Sequence, residues 1–305
     1  MGKYITNFET TAAYNAAEAN LAKPHVSLTK DNMGVHFLPV RNNIIMYQTL
    51  LSSPLSETTD TSKGGLHTNA FNTTIKSHTY NNQTKTGTIE FNDDVTTIGD
   101  FAFYRCDMML SIEIPSTVTS IGNNAFASMS QNPGYLSDVR FANGSRLTSI
   151  GQMAFSWCYH LTSINIPDSV TSIGNLAFEW CGSLTSIVIP SGVTSINMGA
   201  FSNCRSLTSV TIPNGTIGIG AFENCSGLTS VTIGSGVTSI GNNAFTDCTS
   251  LATITSNIMS APSVQPGTFY GVAENGTLYV PVGSSGYETW MSNQGNLGMY
   301  NWTKV

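Results

Sequence analysis

The sequence predicts a mainly β protein with short helical turns: a right-handed solenoid of about eight coils, preceded by a small α+β segment. Three observations carry this. The stretch Leu161 to Ser183 returns almost unchanged from Leu184, a period of 23 residues. Leu, Ile, Val, Ala and Phe fall at fixed places in every copy, and a period in the twenties of this kind belongs to leucine-rich-repeat coils. Finally, 40% of residues are hydrophobic while 10% are charged, against roughly 25% charged in an ordinary soluble domain, so hydroxyl and amide groups make most of the surface.

The repeats begin near Thr86 and restart at Met109, Leu136, Leu161, Leu184, Leu207, Leu228 and Leu251. Two longer units contain insertions, at Ser130 to Tyr135 and near Asn143 to Ser145, which must bulge as loops. Within a unit, Ile164 and Ile166 alternate with polar residues and predict a short strand with one face inward. Pro167 is expected to end that strand, Val170 and Ile173 to form a second short segment, and Gly174 to permit a tight turn. Asn175 to Trp180 then predicts a single helical turn that drops Phe178 into the core. Outward positions on the strand face are Glu90, Glu113, Arg140, Asn165, Val188, Thr211, Thr232 and Thr255. Stacking the coils turns Phe103, Phe126, Phe155, Phe178, Phe201, Phe222 and Phe245 into one ladder, with stability carried between nearest neighbours.

The flanks differ in character. Thr10 to Ala22 predicts a short amphipathic helix closed by Pro24. His25 to Thr29 and Val35 to Leu38 predict a hairpin, to which Asn43 to Leu50 could add a third strand. Residues 1–51 are thus expected to be an attachment segment, 52–85 a polar linker and a capping hairpin turning at Asn81-Asn82, 86–275 the repeats, and 276–305 a C-terminal cap. In that cap Tyr287 to Met291 reads as a helix, with Trp290 and Trp302 covering the last coil.

Composition removes several functions. A net charge of −6 with 12 Lys plus Arg offers no basic stripe for phosphates, so nucleic acid is not an expected partner. No apolar run is long enough to cross a bilayer, and direct membrane insertion is not expected. Cys106, Cys158, Cys181, Cys204, Cys225 and Cys248 each follow an Ala-Phe pair by three residues. One thiol per stacked coil suits neither disulfide geometry nor a tetrahedral metal cage, which makes them small core residues. The five histidines have no metal spacing, and no nucleophile motif stands beside a base, so neither an enzyme nor a cofactor or metal site is expected.

The repeated pattern Leu-Thr-Ser-Ile-x-Ile-Pro-x-x-Val-Thr-Ser-Ile-Gly-x-x-Ala-Phe-x-x-Cys resembles the BspA-like leucine-rich repeats over roughly residues 86–270. The ending Leu278 to Trp290 is similar to the closing segment of such proteins in gut anaerobes. The resemblance implies a non-catalytic surface protein that adheres to host proteins, other cells or matrix. Phe8 to Leu28 looks like short leaders of bacteriophage or prophage structural proteins of gut bacteria, and the first twenty residues lack the basic start and apolar centre of a secretory signal. The leading expectation is therefore a bacteriophage virion appendage, a fibre or decoration protein on the virion surface after cytoplasmic folding. The alternative is a secreted cell-surface adhesin of a gut bacterium. Residues 1–85 would attach to other virion or surface proteins and the solenoid to a protein or glycan receptor, with homo-oligomer formation open.

Candidate binding residues lie two places after the ladder phenylalanine. Trp157 and Trp180 occupy that slot in neighbouring coils, and side-by-side surface aromatics suit sugar or protein contacts. Packing over the turn, shielding Cys158 and Cys181, is the competing role. Tyr104, Arg105, Tyr159, His160 and Glu179 are expected on the same edge as a rim.

Overall fold

The computed structural model describes residues 26–31, 34–39, 42–60, 63–129, 134–265, 267–292 and 296–305. The helix expected at Thr10 to Ala22 lies outside them. Val26–Asp31 and Gly34–Pro39 form the expected antiparallel hairpin, with Asp31 opposite Gly34.

Each coil presents three hydrogen-bonded sides. On the first, Ser163–Ile164 and Ser186–Ile187 pair in parallel and are followed by Ser209–Ile217, Ser230–Ile240, Thr253–Ser256, Asn275–Tyr279 and Asn301–Lys304. On the second, Thr97–Ile98, Ser120–Ile121, Ser149–Ile150, Ser172–Ile173 and Ser195–Ile196 stack in register and join the long strands through Ile217 and Ile240. The alternating pattern buries Ile164 and Ile166 and their counterparts and leaves the Ser and Thr outside, where threonine hydroxyls donate to the preceding coil, as Thr208 does to Thr185 O at 3.2 Å. Pro213 does not end its strand: Ser209–Ile217 runs through it, with a register shift between Ile212 and Asn214.

The third side is not helical. Leu176 and Trp180 have φ of 57° and 58° and flank Phe178, and the corresponding positions in the other coils are also left-handed, Ser128 in the Phe126 coil excepted. Alternate amides consequently point along the solenoid axis: Leu176, Phe178 and Trp180 N–H donate to Met198, Ala200 and Ser202 O at 2.8–2.9 Å. The amides between them close local turns, such as Glu179 N to Leu176 O at 3.1 Å. A single helical turn would aim all its N–H groups one way and leave the neighbouring coil unpaired. Alternating handedness satisfies both.

Inside, eight phenylalanine rings from Phe103 to Phe269 stack face to face, 5.0–5.6 Å apart and within 8° of parallel. The five cysteines from Cys158 to Cys248 are buried, and each thiol donates to the phenylalanine carbonyl of the preceding coil, as Cys204 Sγ does to Phe178 O at 3.2 Å. Coils approach so closely that a Cβ on Gly174 would sit 2.6 Å from Gln152 N.

Both ends are closed. Ile44–Thr49 lies between Thr86–Phe91 and Met109–Ile114, antiparallel to both, rather than beside the first hairpin. Ile75–Asn81 then pairs outside Thr86–Phe91, and Asp138–Phe141 pairs outside Met109–Ile114. The stretch after residue 51 is equally bound in, with Leu55, Leu66 and His67 buried. At the other end Trp290, on the short helix Glu288–Ser292, tilts onto Phe269, and Trp302 lies over Gly276.

Candidate functional site

Trp157 and Trp180 follow their ladder phenylalanines by two residues, at left-handed φ of 63° and 58°. Arg105, Asn203, Asn224, Asp247 and Gly271 hold the same slot in other coils. Asn, Asp and Gly accept this conformation readily, whereas a bulky side chain does so at a cost of roughly 1–2 kcal/mol. The shared backbone position then stacks the two indoles face to face, 4.5 Å apart and 10° from parallel. From the next coil, Arg205 sets its guanidinium carbon 4.7 Å from the Trp180 ring, on the side away from Trp157. Both faces of Trp180 are thereby covered and the pair turns its edges outward.

The N–H groups of these indoles distinguish them from the capping tryptophans. Trp290 and Trp302 donate to Pro262 O and Ala273 O at 2.8 and 2.9 Å. Among the described residues, no acceptor meets the indole N–H of Trp157 or Trp180.

Tyr159 and His160 adjoin the pair. Tyr159 is 41% exposed and packs over Gly182, where a Cβ would lie 2.3 Å from its ring. His160 stacks on Tyr135 at 4.8 Å and meets Tyr159 edge-on. Glu179 is half-buried beside this row, accepts from Ser156 Oγ at 3.2 Å, and is raised above the ordinary carboxyl range chiefly by burial.

Tyr104 and Arg105 do not share this ridge. They belong to the Phe103 coil, two coils before Trp157, roughly 10 Å away at the spacing of parallel strands, and the intervening coil offers Ala127 and Ser128 at the matching positions. Tyr104 instead meets Phe101 edge-on. Arg205 and Tyr135 join the ridge in their place. Arg205 follows Phe201 by the same four residues that separate Tyr159 from Phe155, a spacing readable in the sequence, whereas Tyr135 lies in an insertion without repeat register.

Among the described residues no cluster of His, Cys, Asp and Glu could hold a metal ion, and no helix is long and apolar enough to cross a membrane.

The sequence matches the family described as BspA type leucine rich repeat region in six copies, over residues 66–181 and 131–252. The chain belongs to the BspA-type leucine-rich-repeat family. Among solved structures, this BspA-type protein is similar to a leucine-rich-repeat protein of T. pallidum, with 31% identity over 52% of this chain and 73% of the other, and a TM-score of 0.47. A leucine rich cell surface protein of Faecalibacterium prausnitzii shares 33% identity over 63% of this chain, with a TM-score of 0.46, and the match spans only 54% of that protein. No curated protein matches the sequence.

Proposed function

We propose that this BspA-type protein is a non-catalytic adhesin displayed on a bacterial cell surface, and that the ridge Trp157–Trp180–Arg205, with Tyr159, His160 and Tyr135, grips a protein partner. The observation that carries this reading is the pair of indole N–H groups without an acceptor on a fold whose capping tryptophans are both satisfied. Half-buried aromatics with unused donors are the composition of interface anchors. A protein partner fits better than a glycan, because sugar stacking needs an open aromatic face and both faces of Trp180 are taken.

Cell-surface display follows the adhesin character of the family. The virion appendage takes second place, since most of the stretch it drew on, residues 8–25, lies outside the described residues. Surface proteolysis of intact producing cells separates the two: release of repeat fragments supports the adhesin, and recovery of the protein solely in purified phage particles overturns it.

For the ridge, the variant to use is Trp157→Asn with Trp180→Asn, since Asn203 and Asn224 already occupy that slot at the same φ. The double variant should fold and lose at least tenfold in binding to whichever member of an immobilised panel of host matrix and epithelial proteins the native chain binds. Unchanged binding by a folded double variant, or binding by the native chain to a glycan array alone, refutes the assignment.

A further inference from the structure

A second feature lies at the opposite end of the repeats from the C-terminal cap. A cleft of about 400 Å³ opens between residues 51–56 and 63–65 on one side and the first coil on the other, lined by Leu55, Ser56, Lys63, Arg105, Asp107 and Met108 among others. This volume falls within the range of small-molecule sites.

Its outer wall is fastened from behind. Tyr47 Oη accepts the Leu55 amide at 3.1 Å and lies 2.8 Å from His78 Nε2, while His78 Nδ1 meets Glu57 at 2.8 Å. Tyr80 Oη donates to Leu51 O at 2.6 Å. The Gly65 amide bonds Tyr104 O at 2.9 Å, and a Cβ on Gly64 would sit 2.7 Å from Arg105 Cβ. A cleft held open by this many bonds from its own wall is preorganised.

The charges inside are unequally matched. Lys63 pairs with Asp60 at 3.4 Å, and Asp107 accepts the Ser128 hydroxyl. Arg105 has no side-chain acceptor among the described residues, and its Nε is buried without a partner. In a chain of net charge −6 this is a local site for an anion, unsupported by any wider positive field. A guanidinium matches the two oxygens of a carboxylate, and Leu51, Leu55 and Met108 supply an apolar bed beside it.

We propose that this cleft binds a small organic carboxylate, the acid group held by Arg105 and its apolar body resting on Leu51, Leu55 and Met108. The site is separate from the tryptophan ridge.

The test is isothermal titration of the full chain with phenylacetate, and with phenylacetamide as the uncharged match. Phenylacetate should bind saturably and at least tenfold more tightly than the amide. Arg105→Asn, which places at this slot the residue that Asn203 and Asn224 already are, should abolish the preference while leaving the unfolding midpoint close to native. Met108→Glu, on the exposed lip, should weaken phenylacetate at least tenfold by charge repulsion. The Trp157→Asn, Trp180→Asn chain should bind phenylacetate as the native chain does. Equal binding of acid and amide, retention of the preference by Arg105→Asn, or no saturable binding at tens of millimolar overturns the proposal. Glucuronate as a third ligand separates an apolar acid from a sugar acid: a weaker affinity than phenylacetate supports the apolar bed, and a tighter one overturns it.

Discussion

Replacing Phe201 by Ala removes one ring from the middle of the ladder. Phe201 is fully buried, 5.3 Å from Phe178 and 5.4 Å from Phe222, both nearly parallel to it. An aromatic side chain buries about 150–250 Å², which at about 25 cal/mol per Å² sets an upper bound of roughly 4–6 kcal/mol. Each stacked pair is worth about 0.5–1.5 kcal/mol beyond area, and measured Phe→Ala losses of about 3–5 kcal/mol place this doubly stacked ring toward the upper end. Backbone bonds such as Phe201 N to Ala221 O need no side chain, so the loss is confined to packing. In a solenoid stability passes through nearest neighbours, and the two halves should uncouple as well as weaken. Urea unfolding followed by tryptophan fluorescence reads this directly, with Trp157 and Trp180 before the defect and Trp290 and Trp302 after it. Expected are a loss of about 4 kcal/mol and a transition broadened or split relative to the native chain. A loss under about 1.5 kcal/mol with an unchanged single transition would refute the view that the ring ladder couples the coils.

Two further outcomes follow from the buried ionisable groups. Burial raises the ladder thiols, that of Cys225 up to about 12 and the others in the same direction, so Cys158, Cys181, Cys204, Cys225 and Cys248 should resist maleimide in the native chain at pH 8 and all react in denaturant, as intact mass will show. Rapid labelling of the native chain would mean that the coils open locally. For Glu179, burial raises the carboxyl above its ordinary 4.5, so the folded chain holds this proton more tightly than the unfolded one and stability falls as pH rises from about 4.5 through the raised value. Glu179→Gln should remove that contribution, gaining on the native chain near neutral pH and losing the advantage under acid. Parallel stability profiles across pH 4–7 would show that the carboxyl is solvated after all.

Much of the architecture was legible because repeats write tertiary contacts into local spacing. Phe178 and Phe201 are far apart along the chain yet adjacent in space, and only the period reveals it. The same logic made the cysteines packing residues and put Trp157 beside Trp180. It did not reveal the handedness of the turn around Phe178, because Trp, Leu and Met at left-handed positions contradict local preference. Nor did it separate Tyr104 and Arg105 from the ridge, since shared slots in nonadjacent coils look like shared neighbourhoods.

By itself the sequence determined the coil, its period, and which side chains line the core, since each of these depends on contacts between identical neighbours. The tertiary structure decided what happens where repetition stops. Ile44–Thr49 could pair with the hairpin before it or with any free edge, and the gap between Thr86–Phe91 and Met109–Ile114 satisfies both of its edges at once. The cleft around Arg105 likewise arises between segments whose separation in sequence carries no register.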